Sequence, residues 1–549
     1  MKKILYILIS ILIFTTGCAY EFVSLRSQAM TYDSMPEEVE DIVLTSRGAA
    51  HFGTSLNLSM RNPHTLNPLI NQDRSVDRVL KLIFEPLVEI RENMRPTPNL
   101  ASRIVFAADG MSAVVTLRED ALWSDGTRIT SGDVTFSLSV IRSPLGSSIY
   151  QAITRDISTI EIIDSSNFRV RFSNPQGGIS YALNFPPIPR HYYDNHINFS
   201  SNRNMMPMGS GIFRVDSFES AHRVNLVPNE NRMMGQRPYI EQVTILITDN
   251  EQTDFTAFEQ GIINILDTEA TAFGRFSGAR AITTTAYDTN NFVFLGFNFR
   301  SHLMDNRDVR EAIAHAIDKE FIQESIYLGR ARAATTVVNP ISFLYNPGGA
   351  GTVTHGFNME EVRTILFRIG ARHQEGVLSK ELSGLNLPFE LRLLVNAESP
   401  ERIAAAMHIK SNLEEFGMII HLDIYDFETY LERLSAGNFD MFLGAFNFSV
   451  KPDFKPLFHS SNIGLYNHFS FRSERVDELL EQLDTARTED ELWSLMGEFK
   501  AIMAYELPVV PIVFTGRTLL SDARITGEMR PVLNNIFSNV AQWRIEWVN

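Results

Sequence analysis

Thirteen histidines and a single cysteine carry the most versatile side-chain chemistry in this 549-residue chain, and their spacing supports little of it. The sequence has no Gly-x-Ser-x-Gly elbow, no His-Glu-x-x-His pair and no phosphate-cradling Gly-x-x-x-x-Gly-Lys loop. The local patterns that activate a serine, hold a catalytic zinc or grip a nucleotide are therefore missing. His191 and His196 bracket Tyr192-Tyr193-Asp194-Asn195, and His459 and His468 stand nine residues apart, but neither pair has further ligands at metal spacing. Acidic pairs such as Glu37-Glu38 and Glu414-Glu415 read as solvated faces. Gly209 and Gly211 precede no Gly-rich helix start, so backbone packing explains them better than phosphate binding. The expectation is binding without turnover, with no catalytic residue, no metal and no cofactor.

Cys18 has a different context. Lys2 and Lys3 precede a mostly apolar stretch from Ile4 to Phe14, which ends at Thr15-Thr16-Gly17-Cys18. At about 1.5 Å per residue the stretch spans about half of a bilayer core, which suits a secretory h-region rather than a spanning helix. Gly17-Cys18 at that point resembles the lipobox of bacterial lipoproteins, with Thr15 where that pattern prefers leucine. The resemblance implies residues 1–18 as a signal segment and Cys18 as the lipidation site. An ordinary signal peptide with an incidental cysteine is the other reading. Residues 19–41, with Pro36 and the acidic run Glu37-Glu38-Val39-Glu40-Asp41, read as a flexible tether. A net charge of −16 excludes nucleic acid as a partner and disfavours docking on anionic lipid, so an acyl anchor has to do the membrane work. Without a second cysteine no disulfide forms within the chain, and the core must hold the exported body together.

The elements available to position any site alternate between strand and helix periods. Val114-Val115-Thr116-Leu117 reads as a strand, and Thr130 to Asp133 has capping-box spacing ahead of Val134, Leu138 and Ile141. From Asp305 to Gly329 the spacing predicts one helix, capped by Asp305, with Val309, Ile313, Ile317 and Phe321 on its buried face. Ile403, Met407 and Leu413 to Phe416 predict another, closed by Gly417. Met418, Ile420, Leu422 and Ile424 then alternate as a strand with one wet face, Phe427 to Ala436 returns to helix, and Phe439 to Phe446 to strand. The order implies an α/β body.

Several segments together resemble the large solute-binding family 5 of bacterial ABC importers, which includes oligopeptide, dipeptide and nickel receptors. They are Thr65-Leu66-Asn67-Pro68, Ile83 to Val88, Trp123-Ser124-Asp125-Gly126-Thr127 with Asp133 to Phe136, and Met208 to Val215. Leu295-Gly296-Phe297-Asn298, Val309 to Asp318 and Glu506 to Ile512 complete the set, which covers nearly everything from Asp41 onward. The resemblance implies a periplasmic-binding-protein-like clamp with two lobes, an extra subdomain in the first, and a hinge of two crossings near Asn298 and Pro508 to Pro511. The limits it implies are 42–72, 205–290 and 510–549 for the first lobe core, 73–204 for the extra subdomain and 291–509 for the second lobe. It also implies a monomer that hands a peptide or peptide-like solute to ABC permease subunits. A receptor for a sugar, metal or haem complex, and a surface lipoprotein for sensing or adhesion, stay open.

A peptide's ammonium end becomes buried on closure and needs a carboxylate partner. In the family that carboxylate follows a tryptophan after the Phe-Asp of a second-lobe strand, here Phe439-Asp440. Phe446 stands at the tryptophan position. Counting from Asp440 the carboxylate position is Ser449, and counting back from Pro452 it is Phe448, neither of them acidic. Asp453 or Asp426 is the expected substitute; otherwise the ligand is neutral. Phe446, Phe448, Asn447, Ser449 and Phe427 are the ligand-facing candidates of the second lobe, and Asn71 and Gln72 those of the first.

Overall fold

The computed structural model describes residues 55–143, 148–176, 181–194, 201–235, 237–269, 281–345, 354–382 and 385–546. Cys18, the tether and His196 lie outside the described residues. No helix among the described residues is long and apolar enough to cross a membrane.

Two long antiparallel strands, Ile282–Phe297 and Val509–Asp522, organise the body. Along one half, Ile282 to Asp288 pairs with Gly516 to Asp522, and Ile265–Glu269 adds on the outer side. After a register shift between Asp288 and Phe292, Phe292 to Gly296 pairs with Val509 to Phe514. There Met441–Asn447, Glu390–Asn396 and Ile419–Tyr425 extend the same sheet to seven strands, counting Ala331–Ala333.

The cores part at that shift. Leu519 and Tyr287 pack with Leu56, Trp123 and Trp543 in the first lobe. Val293, Leu295, Val510 and Val513 pack with Ile313, Leu393 and Leu413 in the second. Phe292 and Phe294 point to the opposite face, into a cluster of Phe442, Phe448, Phe454, Phe469 and Phe514. Side chains alternate along a strand, so an unbroken apolar run such as Phe292 to Phe297 means that both faces are covered. The mixed α/β architecture with two strand crossings is that of a two-lobe clamp, as expected.

The hinge is placed differently. Asn298 lies inside the second lobe, where its amide donates to the carbonyls of Gly437 (3.2 Å) and Phe439 (2.8 Å), and Pro511 pairs opposite Phe294. The crossings are at Thr289-Asn290-Asn291 and Thr515-Gly516, where polar residues interrupt both long strands.

Within the first lobe, Ala101–Phe106, Ser112–Leu117, Asn167–Phe172 and Ile157–Ile162 form a separate antiparallel sheet. Thr130 and Asp133 make the predicted capping box on helix Ser131–Ile141, which buries Val134, Leu138 and Ile141. Gly126, at φ +86°, closes a turn by donating to the Trp123 carbonyl (2.9 Å), and Trp123 is buried beside it.

Two helices depart from the pattern read above. Asn306, not Asp305, caps Arg307–His315, which then stops. Asp318 caps a fresh turn, Lys319–Phe321, followed by a π-helical turn over Ile322–Ile326. The restart takes Phe321 off the Val309, Ile313 and Ile317 face, so it is 43% exposed and stacks on His408 at 4.1 Å. On Pro400–Glu414 the buried stripe is Ala405, Ala406, Ile409 and Leu413, with Met407 outside. Small alanines mark that face less visibly than the methionine marks the wrong one.

Candidate functional site, the interlobe crevice

The polar interruption in the first crossing strand positions the loop that follows Met441–Asn447. Asn290, itself buried, accepts from the Phe448 amide through its carbonyl (3.0 Å) and donates through its side chain to the Ser449 carbonyl (2.9 Å). Asn339, also buried, donates to the Asn290 side chain (3.1 Å) and the Thr289 carbonyl (2.8 Å). A buried asparagine with its hydrogen bonds satisfied holds a backbone segment in one place. Here it joins hinge and loop.

The loop continues as Lys451-Pro452-Asp453 along a narrow crevice that encloses about 70 Å³ and opens to solvent. Pro175, Gln176 and Tyr181 approach from the extra subdomain, and Leu483 and Met496 stand on the other side. Lys451 Nζ is 3.4 Å from Asp156 across the crevice and 3.9 Å from Asp484 on its own side. Lys455 pairs with Asp484 at 2.7 Å. Asp453, exposed, accepts the Lys455 backbone amide at 3.0 Å and enters no ion pair among the described residues. Tyr181 donates its hydroxyl to the Met94 carbonyl (3.0 Å), and burial pushes its phenol up, so it stays neutral. A second bridge joins the same two sides. Arg95 makes a bidentate pair with Glu489 (2.9 and 2.8 Å), and the Phe343 amide donates to the Asn93 carbonyl (3.0 Å).

Of the residues singled out in the sequence, Asp453 lines the crevice. Phe448 is 5% exposed and packs edge-on against Phe446 (4.9 Å) and Phe454 (5.1 Å), in the core of the second lobe rather than on the crevice wall. Phe446 is half-buried on the same cluster. Asn447 is exposed, paired opposite Asn291, and Ser449 is exposed with its hydroxyl turned back to the Lys451 carbonyl. Phe427 is 48% exposed at the start of helix Phe427–Ala436 and does not line the crevice. Asp426 caps that helix, accepting from the Thr429 amide (3.0 Å) and hydroxyl (2.9 Å), and these bonds hold its carboxyl below the usual range. Asn71 is buried in a turn, donating to the Asp73 carbonyl (2.8 Å), while Gln72 is exposed, and neither lines the crevice. His459 lies 3.8 Å from Asp477 and 3.6 Å from Glu481, and burial lowers the His468 pKa. Sequence reasoning passed over Asn290, Asn339, Lys451 and Tyr181. The one local signal was the Thr-Asn-Asn interruption in an otherwise apolar strand.

Residues 95–464 match the family described as bacterial extracellular solute-binding proteins, family 5, middle region. The chain is 24% identical over 497 residues to the oligopeptide-binding protein AppA of Bacillus subtilis, covering 87% of this chain and 86% of that one. It is 21% identical over 475 residues to heme-binding protein A of Haemophilus influenzae, covering 81% and 84%. Among solved structures, HbpA2 from Haemophilus parasuis superposes with a TM-score of 0.74 at 19% identity, covering 90% of this chain and all of that one. The AppA of Bacillus subtilis in complex with a nonapeptide gives 0.60 at 19% identity, covering 90% and 99%. This chain belongs to the family 5 extracellular solute-binding proteins. Members of that family bind peptides or other small solutes outside the cytoplasm and work with ABC-transporter permeases, and the homologues are binding proteins rather than enzymes.

Proposed function

We propose that this protein captures a peptide or peptide-like solute in the crevice between its lobes and delivers it to the permease of an ABC importer, anchored to the membrane through acylated Cys18. The division into lobes that goes with this reading is 42–72, 205–290 and the chain from Thr515 on, with 73–204 as the extra subdomain, closing against 291–514; the boundary expected at 510 moves to Thr515 because Val510 and Val513 pack with the second lobe. The observation that carries the choice of solute is Asp453, a carboxylate on the crevice wall with no cation paired to it among the described residues. An ammonium group entering a closing crevice needs such a partner, because an unpaired buried charge costs several kcal/mol. Lys451, between Asp156 and Asp484, offers a cation a short way along the same wall for a carboxylate end. An extended peptide backbone adds hydrogen bonds that do not depend on side-chain identity. Native mass spectrometry of the protein purified without denaturation tests this directly. Co-purifying peptides of mixed sequence are the expected result, and a single sugar, metal chelate or haem would replace the reading.

A further inference from the structure

Glu311, His315 and His355 bring one carboxylate and two imidazoles together in the second lobe, sharing no residue with the crevice. One ligand atom from each lies within 4.8 Å of the others. Glu311 and His315 are four residues apart on helix Arg307–His315, so they stack on one face. His355 enters from the segment beyond, which is tied to the helix end by the Asn358 amide donating to the His315 carbonyl (2.9 Å).

Two further observations point to a ligand. His315 Nδ1 is 2.8 Å from the Gly356 carbonyl oxygen. A carbonyl oxygen only accepts, so Nδ1 carries the proton and Nε2 keeps its lone pair free, the orientation that ligating histidines use. His355 is 6% exposed, and its Nε2 has no hydrogen-bond partner among the described residues, while Glu311 Oε1 stands 4.0 Å from it. A buried imidazole nitrogen left unsatisfied is uncommon and requires an explanation.

We propose that Glu311, His315 and His355 form a binding site for a late first-row divalent metal, with Zn²⁺ the ion whose preference for mixed imidazole and carboxylate donors fits best. The ion is held by three protein ligands and a water, separately from any transported solute. Donor atoms around tetrahedral Zn²⁺ stand roughly 3.3 Å apart, so the three side chains close in by up to about 1.5 Å on binding. Three cations oppose the ion. Arg307 (2.9 Å) and Arg368 (3.3 Å) both donate to Glu311, and Lys319 borders the same small hollow as His355. Arg307 and Arg368 therefore both compete with the ion for the carboxylate, and Arg368, the more weakly bonded of the two, is the one whose removal leaves the Arg307 pair intact.

The test is calorimetric titration of Zn²⁺ into the full chain in detergent after chelator treatment, with the Co²⁺ absorption spectrum as a report of geometry. One equivalent is expected, with affinity at least tenfold weaker in His355→Ala and in His315→Gln. Arg368→Gln is expected to bind several-fold tighter, a gain that misfolding cannot produce. Capture of the solute should be unchanged in all three, so failure here leaves the crevice reading untouched. Zn²⁺ binding of equal affinity in wild type and all variants, or no binding at millimolar Zn²⁺, would overturn the site.

Discussion

At the scale of single residues the crevice is defined by which charges already have partners. Asp426 is held by Thr429 as a helix cap, whereas Asp453 faces the crevice with a single backbone amide on it among the described residues. If the solute carries a free amino end, Asp453→Asn should weaken its binding by about 3 kcal/mol, since the ammonium then closes into the crevice without its carboxylate. Asp426→Asn should leave affinity unchanged. Calorimetry with the co-purified solute reads both, and equal losses in the two variants would mean that the carboxylate has been misplaced. This choice was only half legible in the sequence. Counting along the family pattern reached Phe448 and Ser449, but chain count does not tell which way a loop turns. Phe448 turns inward because its ring joins Phe292 and Phe454, residues that no local pattern connects to it. Lys451 meets Asp156 across 295 positions of chain, a contact with no trace in spacing.

At the scale of elements, periodicity located the pieces well where each is amphipathic and poorly where it is covered on both sides. The capping box at Thr130 and the strand-helix-strand order from Ile419 to Asn447 are found where expected. The hinge lies away from Asn298 because Leu295-Gly296-Phe297-Asn298, which resembles the family's crossing, already belongs to the second-lobe core, while the short break before it carries the change of core. The Gly209-Ser210-Gly211 segment shows the packing role its composition implied. Gly211 donates to the Ile83 carbonyl (2.7 Å) and Phe213 to that of Leu82 (2.9 Å), so the two backbones lie in direct contact. A Cβ on Gly209 would fall onto the Ile83 carbonyl oxygen, and backbone on both sides leaves nothing flexible to yield. Gly209→Ala should therefore cost about 3 kcal/mol of stability, the upper end for overpacking, read as a lowered denaturation midpoint. A midpoint within experimental error of wild type would show that the segment relaxes freely. Gly464, with nothing near its Cβ position but a φ of +84°, is the control in which only backbone strain is added.

At the scale of the whole molecule, the account joins a clamp to an anchor. On the proposal that Cys18 is acylated, Cys18→Ala should move the protein from the detergent phase to the aqueous phase on partitioning, since acyl chains give the stable membrane hold. Unchanged partitioning would remove the lipoprotein reading and leave the clamp standing. The clamp rests on two crossing strands that exchange cores at Thr289 to Asn291 and Thr515-Gly516, with Asn290 coupling that point to the crevice loop. Hinge closure around a ligand turns on a few residues that absorb a backbone change, and on the proposed reading these two short segments are those residues. The Arg95–Glu489 and Lys451–Asp156 pairs mark the surfaces that meet. The most direct test is small-angle scattering on the protein stripped of its solute and then reloaded with it. A smaller radius of gyration on loading is the expected result. An unchanged radius with a solute shown to bind tightly would contradict capture by closure of the two lobes.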